Sequence, residues 1–463
     1  MKGSAAGLRR LCIAAIAAVG LALVPATAEA GPISVNATAT DKFGLTFQYK
    51  IDVPDPWNGT LVLYSHGYAF GPKNPAADVG DPATGSWLLS HGYALAGSSY
   101  STTGWALKQA FADQKQVLDI FATTVGTPKR TIAWGHSLGG MITAGLVQLY
   151  PNLFTAALPM CGVVAGGPGV WNQGLDSEFA LAVLQAPFKL VNFSDFGDAA
   201  ANFGKASAAL TAAQKTPEGR ARIALSAALA DVPGWFDPAS PEPAANDYAA
   251  QELNQLSWDR SPDFLFAFFG RQELEGRAGG NYSWNTGVDY RVQLSHSINR
   301  AEVMALYAAA GLDLNKDLDT LNAAPRIAAD PAAAAYVSKY ITYNGNLNMP
   351  VLTMHTTGDG LVEVTDENAY ASVVRSAGDN SMLRQVFVHR AGHCTFTPAE
   401  TISAFQTLVH RVDTGRWENS TAPAPMNAQA AALGALNIGT PPSFFNFQPD
   451  QFLRPFDARN LEG

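Results

Sequence analysis

The sequence predicts an α/β protein: a mostly parallel central sheet flanked by helices and interrupted by a large, mainly helical insertion. Three observations lead there. Apolar runs of strand length alternate with segments of helical period over residues 33–165 and again over 346–415, the pattern of strand–crossover–strand units. At one junction Thr131–Trp134 reads as a short buried strand, Gly135-His136-Ser137-Leu138-Gly139-Gly140 as a tight turn, and Met141–Tyr150 as a helix with Met141, Ile142 and Leu149 along one face. Between the two stretches, from about Trp171 to Gly345, strand signals give way to helix caps followed by proline.

Taken in order, Met1–Ala30 carries a basic start (Lys2, Arg9, Arg10), an apolar run Leu11–Val24 and the small-x-small site Ala28-Glu29-Ala30. It reads as a secretory signal peptide cleaved near Ala30. Residues 33–50 and 60–64 alternate or run apolar as strands do, separated by the turn-rich stretch Pro54–Gly59. Leu61–Tyr64 leads into Ser65-His66-Gly67-Tyr68 and a Gly/Pro-rich loop. Trp87–His91 looks helical, Tyr93–Gly97 is a short strand, and Trp105–Val125 is an amphipathic helix with Leu107, Phe111, Val117, Leu118 and Phe121 on its apolar face. Phe154–Met160 is a further strand ending at Cys161.

The insertion shows helix starts at Thr216-Pro217, Ser261-Pro262 and Asp330-Pro331, and a run through Val303, Leu306 and Tyr307 that stops at Gly311. Strands return at Met349–His355 and Leu383–His389, with helices at Asp366–Ala377 and Thr401–Thr414. The expected organisation is a signal peptide (1–30), a core in two parts (31–165 and 346–415), a helical cap (166–345) and a C-terminal tail packed on the core (416–463).

The composition is that of a globular chain, with 47% hydrophobic and 15% charged residues. Loss of residues 1–30 removes three basic residues and one acidic one, moving the formal charge from −9 to −11. So acidic a surface speaks against nucleic acid or anionic membranes as partners. After residue 30 no stretch reaches the ~18 apolar residues of a membrane-spanning helix. Cys12 leaves with the signal, so Cys161 and Cys394 remain as a pair in an oxidising compartment, and a disulfide between them is expected.

Three strand ends present Ser137, Asp359 and His393. A serine hydroxyl is a poor nucleophile until an imidazole takes its proton. The imidazole is held in the required tautomer by a carboxylate on its other nitrogen. A developing oxyanion needs fixed donors, expected here from the backbone N–H groups of Leu138 and Tyr68. Glu363 and Asp366 are rival acids; His389 and His355, both inside strands, are rival bases and read as structural. His136 reads as a packing residue and His66 as a residue that shapes the oxyanion loop. His91, His296 and His410 show no ligand spacing, so no metal is expected. Asp313–Asp317 resembles the start of a calcium loop, but Leu318 and Ala324 stand where a glycine and an acid are required.

Together His66-Gly67, Gly135–Gly140, Gly358-Asp359-Gly360-Leu361-Val362 and Gly392-His393 resemble the α/β-hydrolase superfamily, over about 33–165 and 345–413. The resemblance implies the fold and a Ser137–Asp359–His393 triad. His-Gly-Tyr with Gly-His-Ser-Leu-Gly-Gly is similar to secreted lipases, cutinase-like polyester hydrolases and members of the prolyl oligopeptidase clan. His393-Cys394 resembles tannases and feruloyl esterases, although their partner cysteine precedes the serine, where this chain has His136.

A secreted serine esterase or lipase-like enzyme is the first expectation, without cofactor, acting on small-molecule or oligomeric esters of short or medium acyl chain. The alternatives are a secreted serine exopeptidase and a non-catalytic binding module. Trp171, Phe179 and the cluster Phe264, Phe266, Phe268 and Phe269 are candidate apolar walls, with most of that cluster expected in the core. Glu252, Asp259, Glu273 and Glu275 are the acids a peptidase would use to hold a free amine.

Overall fold

The computed structural model describes residues 31–71 and 74–456. The expected signal peptide lies outside the described residues. The strands are β1 (Ile33–Thr40), β2 (Thr46–Val53), β3 (Thr60–Ser65), β4 (Ala94–Ser98), β5 (Arg130–His136), β6 (Ala156–Met160), β7 (Val351–Gly358), β8 (Leu383–Ala391) and β9 (Phe444–Phe445). They form one sheet in the order β1-β2-β4-β3-β5-β6-β7-β8-β9. The block from β4 to β8 is parallel, and β1, β2 and β9 pair antiparallel at the edges. This is the α/β-hydrolase fold.

The crossovers follow from the apolar patterning. α1 (Pro82–Ser90) joins β3 to β4, α2 (Leu107–Thr124) joins β4 to β5, and α3 (Leu138–Leu149) joins β5 to β6. Leu61, Leu63, Ala133 and Ala157 pack with α2 and α3 on one face of the sheet. Val62, Tyr64, Ile132, Trp134 and Leu158 pack on the other. Because both faces are covered, the central strands read as continuous apolar runs rather than alternating ones.

Between β6 and β7 run α4 (Gly167–Leu184), α5 (Phe196–Ala213), α6 (Pro217–Ala228), α7 (Tyr248–Trp258), α8 (Arg271–Ala278), α9 (Tyr290–His296), α10 (Arg300–Ala310), α11 (Leu314–Ala323) and α12 (Pro331–Ile341). They enclose apolar clusters of their own, one around Leu175, Leu225, Tyr290 and Val303 and another around Leu210, Phe264 and Phe268. The last of them joins the main core through Ala333 and Val337. α13 (Asp366–Ala377) and α14 (Pro398–Thr414) follow β7 and β8, and α15 (Pro423–Ala432) precedes β9. Arg454, near the C-terminus, pairs with buried Asp176 of α4.

Two local expectations need correction. Residues 33–50 are not one strand: Asp41 Oδ1 accepts the N–H groups of Phe43 and Leu45 and folds β1 back on β2. The first helix starts at Pro82 rather than Trp87, because Asp81 caps it by accepting the Thr84 N–H. Ser261-Pro262 starts a helix as expected: extended backbone at Ser261 breaks the turns that run on from α7, and helical turns resume from Pro262 through Phe264 into the wide-turned Leu265–Gly270. Thr216 and Asp330 cap their helices as expected. Asp313 also acts as a cap, accepting from Asn315 and Lys316.

Candidate active site

The turn after β5 forces Ser137 into φ 57°, ψ −124°. Only a close approach of bare backbone permits it: a Cβ on Gly139 would lie 1.9 Å from Ser65 O, and one on Gly135 would lie 2.3 Å from Gly139 O. The side chain of Ser137 is thereby carried above the sheet edge at the start of α3. Its backbone N–H donates to Met160 O of the neighbouring strand at 3.0 Å.

The three expected side chains meet. Asp359 Oδ2 accepts from His393 Nδ1 at 2.7 Å, and His393 Nε2 lies 2.8 Å from Ser137 Oγ. With Nδ1–H directed at a carboxylate, the unprotonated Nε2 faces Ser137 Oγ. Asp359 Oδ1 accepts the N–H groups of Leu361 and Val362, each at 3.1 Å. Burial alone would raise the Asp359 pKa, but the charge of His393 and the hydrogen bonds of His355 and His393 hold it at about 2. Neither rival acid touches His393: Asp366 accepts from the Ala165 N–H, and Glu363 turns to the cavity described below.

The loop that carries His393 is anchored at several points. Cys394 is disulfide-bonded to Cys161, just past the end of β6, with Cα atoms 5.5 Å apart. Arg390 forms a two-pronged ion pair with Glu400, at 2.8 and 2.9 Å, and donates to Thr395 O. Glu400 also completes a capping box with Thr397 at the head of α14. Thr356 Oγ1 donates to Gly392 O. Cys161, His393 and Cys394 lie close enough to suggest a metal set, but the two sulfurs are bonded to each other and offer no thiolate.

His355 is the residue the sequence reading undervalued. It is fully buried beside Asp359, with Nε2 2.9 Å from Val362 O and 3.5 Å from Asp359 Oδ2, and Nδ1 3.2 Å from Glu367 Oε1. Burial would lower its pKa; hydrogen bonds to Asp359 and Glu367 and their charges outweigh that and raise it to about 10. A histidine inside a buried strand, four residues before the aspartate, was the available signal. His136 packs against Tyr64, Trp134 and Phe396, and burial lowers its pKa to about 4. His66 stacks on Tyr100 with centroids 3.9 Å apart, and Tyr100 Oη donates to His66 O, shaping the loop before Tyr68.

A cavity opens over Ser137. The sheet end contributes Tyr68, Trp105, Leu138 and the turn Gly360–Glu363; the inserted helices contribute Trp171, Glu178, Asp259, Asp263, Phe264 and Phe266. Among the described residues neither the Tyr68 nor the Leu138 backbone N–H has an acceptor, and both residues flank Ser137. Phe179 does not line this cavity as expected; it is buried against Tyr290 because its helix turns that face inward. Of the acids expected there, only Asp259 arrives. Glu252 is held by Gln214, Glu273 pairs with Arg277, and Glu275 accepts the N–H groups of Asn192 and Phe193.

No family model matches the chain. The o-phthalyl amidase of Xanthobacter agilis is 29% identical over 430 residues, covering 86% of this chain and 91% of that protein. An esterase from Aspergillus oryzae is similar at TM-score 0.43 and 14% identity, covering 83% of this chain and 80% of that one. Feruloyl esterase B from Aspergillus oryzae is similar at TM-score 0.38 and 13% identity, over 83% and 80%.

Proposed function

We propose that this α/β-hydrolase-fold chain is an exported serine hydrolase that cleaves carboxylic esters through an acyl-enzyme on Ser137. The observation that carries the reading is the hydrogen-bonded series Ser137–His393–Asp359 at the floor of a cavity. In this reading Ser137 Oγ attacks the carbonyl carbon as His393 Nε2 takes its proton, while Asp359 stabilises the imidazolium. The backbone N–H groups of Tyr68 and Leu138 receive the oxyanion. The tetrahedral intermediate collapses as His393 returns the proton to the leaving oxygen. Water then repeats the sequence on the acyl-enzyme, releasing the acid and restoring Ser137.

Residues 166–345 act as a roof that limits the acyl group to short or medium length, and residues 416–463 as a strap on the core. Residues 1–30 serve as the export signal, and the Cys161–Cys394 pair suits an oxidising compartment. Among the described residues no helix is long and apolar enough to cross a membrane.

Amide cleavage is the second reading, favoured by the amidase relative. It requires His393 to protonate an amine rather than an alkoxide as it leaves. Fluorophosphonate labelling followed by turnover of 4-nitrophenyl esters against matched 4-nitroanilides tests both. Ser137→Ala should abolish labelling and lower kcat by about 10⁴-fold or more. Near-normal activity in that variant would sink the proposal, and anilide turnover above ester turnover would promote the amidase reading.

A further inference from the structure

The cavity over Ser137 holds more acid than acyl transfer requires. Glu178 from α4, Asp259 and Asp263 from the kinked segment after α7, and Glu363 from the turn after Asp359 all line it. Glu178 is 6%, Asp259 2% and Glu363 9% exposed. Glu178 Oε2, Asp259 Oδ2 and Asp263 Oδ1 have no hydrogen-bond partner among the described residues. Buried carboxyl oxygens left unpaired are costly, and three of them here belong to residues lining one cavity. Buried Arg271 stacks on Trp171 and Tyr282 and donates to Ser283; its charge acts on Glu178, yet Glu178 Oε2 has no hydrogen-bond partner among the described residues.

We propose that this cavity is a subsite for a cationic group of the substrate, a primary ammonium or an amidinium, held by Glu178, Asp259, Asp263 and Glu363 against the aromatic wall of Trp105, Trp171 and Phe266. The proposal rests on the hydrolytic reading, which puts the scissile carbonyl at Ser137. The aromatic faces add cation–π attraction to the charge of the acids.

The surroundings agree in sign. Burial first, then neighbouring acids, raise the pKa of Glu178 to about 8, with Arg271 pulling the other way and Asp259, Glu275 and Asp176 pushing up. Burial and Glu252 raise Asp259 to about 7. Asp263 is pushed well up by burial and by Asp259, Glu363, Asp359 and Glu178; Glu363 is pushed well up by burial and by Asp366, Asp359 and Asp231. These acids keep protons until a cation replaces them, so cation binding should strengthen as pH rises from 6 to 8. A substrate anion would show the opposite trend.

Calorimetric titration of the wild-type protein with benzylammonium, benzyl alcohol and benzoate tests this without depending on turnover. At pH 8 benzylammonium should bind at least about tenfold more tightly than benzyl alcohol, the gap narrowing to about threefold or less at pH 6. In Glu178→Gln/Asp259→Asn the ratio at pH 8 should fall to about one. Equal binding of the ammonium and the alcohol by the wild type, or tightest binding of benzoate, overturns the subsite. Ester turnover that survives Ser137→Ala overturns the hydrolytic reading instead, and the titration still decides the cation site.

Discussion

Ser137 lies at a positive φ that few residues adopt, and neighbouring glycines bear the cost of that geometry. The result is a hydroxyl held 2.8 Å from His393 Nε2. Asp359 Oδ2 accepts from the Nδ1 of that imidazole, and buried His355 lies 3.5 Å from the same oxygen while its other nitrogen faces Glu367. If Asp359 thereby fixes the tautomer, Asp359→Asn should lower kcat by about 10⁴-fold at nearly unchanged fold, because the amide favours the wrong tautomer. Asp366→Asn should cost less than about tenfold, since that carboxyl has no contact with His393. Steady-state kinetics of the two variants decide the matter, and a larger loss for Asp366→Asn would show the acid to be misassigned.

At the scale of elements, the site is a junction of three strand ends. β5 delivers Ser137, β7 delivers Asp359, and β8 delivers His393. Of these, the His393 loop has the least secondary structure and the most anchors. The disulfide ties it to the end of β6, across a sequence separation of 233 residues. Removing the bridge by Cys161→Ser should cost about 2–5 kcal/mol of stability and lower kcat, as His393 loses its fixed position. Urea unfolding read beside ester turnover would show both losses together. Peptide mapping without reductant that finds two free thiols in the exported protein would refute the bridge.

The whole molecule carries an unusual load of buried acid. Besides Glu178 and Asp259, burial raises Asp113 and Asp231 to about 7 and Glu302 to about 8. A carboxyl whose folded pKa exceeds its unfolded one binds more protons when native, so stability falls as pH rises between the two values. His355 acts in the same direction: its contribution is complete below its ordinary pKa and is lost as pH rises toward about 10. The lowered Asp359 works the other way, its contribution being lost below about pH 4, and so does buried His136, whose lowered pKa costs stability as pH falls below the ordinary histidine value. Stability should therefore be greatest near pH 5 and lower at pH 8.5 by at least about 2 kcal/mol, measured by urea unfolding in salt high enough to screen surface charge. A curve that is flat or rises across that range would show these acids to be ionised and compensated.

Read alone, the sequence determined the sheet, its crossovers and the chemical identity of the candidate site. These rest on local physics: apolar runs of strand length, a helix of the right period, and a glycine-flanked turn at Ser137. It also favoured Asp359 over Glu363 and Asp366, because of its Gly358-Asp359-Gly360-Leu361-Val362 setting. What the tertiary structure alone decided is the environment of that site. Whether an acid faces the cavity depends on the rotation of its helix and on its hydrogen-bond partners. Glu178 points in, while Glu273 and Glu275 are consumed by Arg277 and by backbone N–H groups. Phe266 lines the wall while Phe179 is buried elsewhere, for the same reason. The role of His355 likewise needed the fold, since its partner Glu367 comes from the helix that follows β7 and reaches back beneath it. Periodicity reports which residues share a face; which face meets the cavity is set by long-range packing that no local pattern encodes.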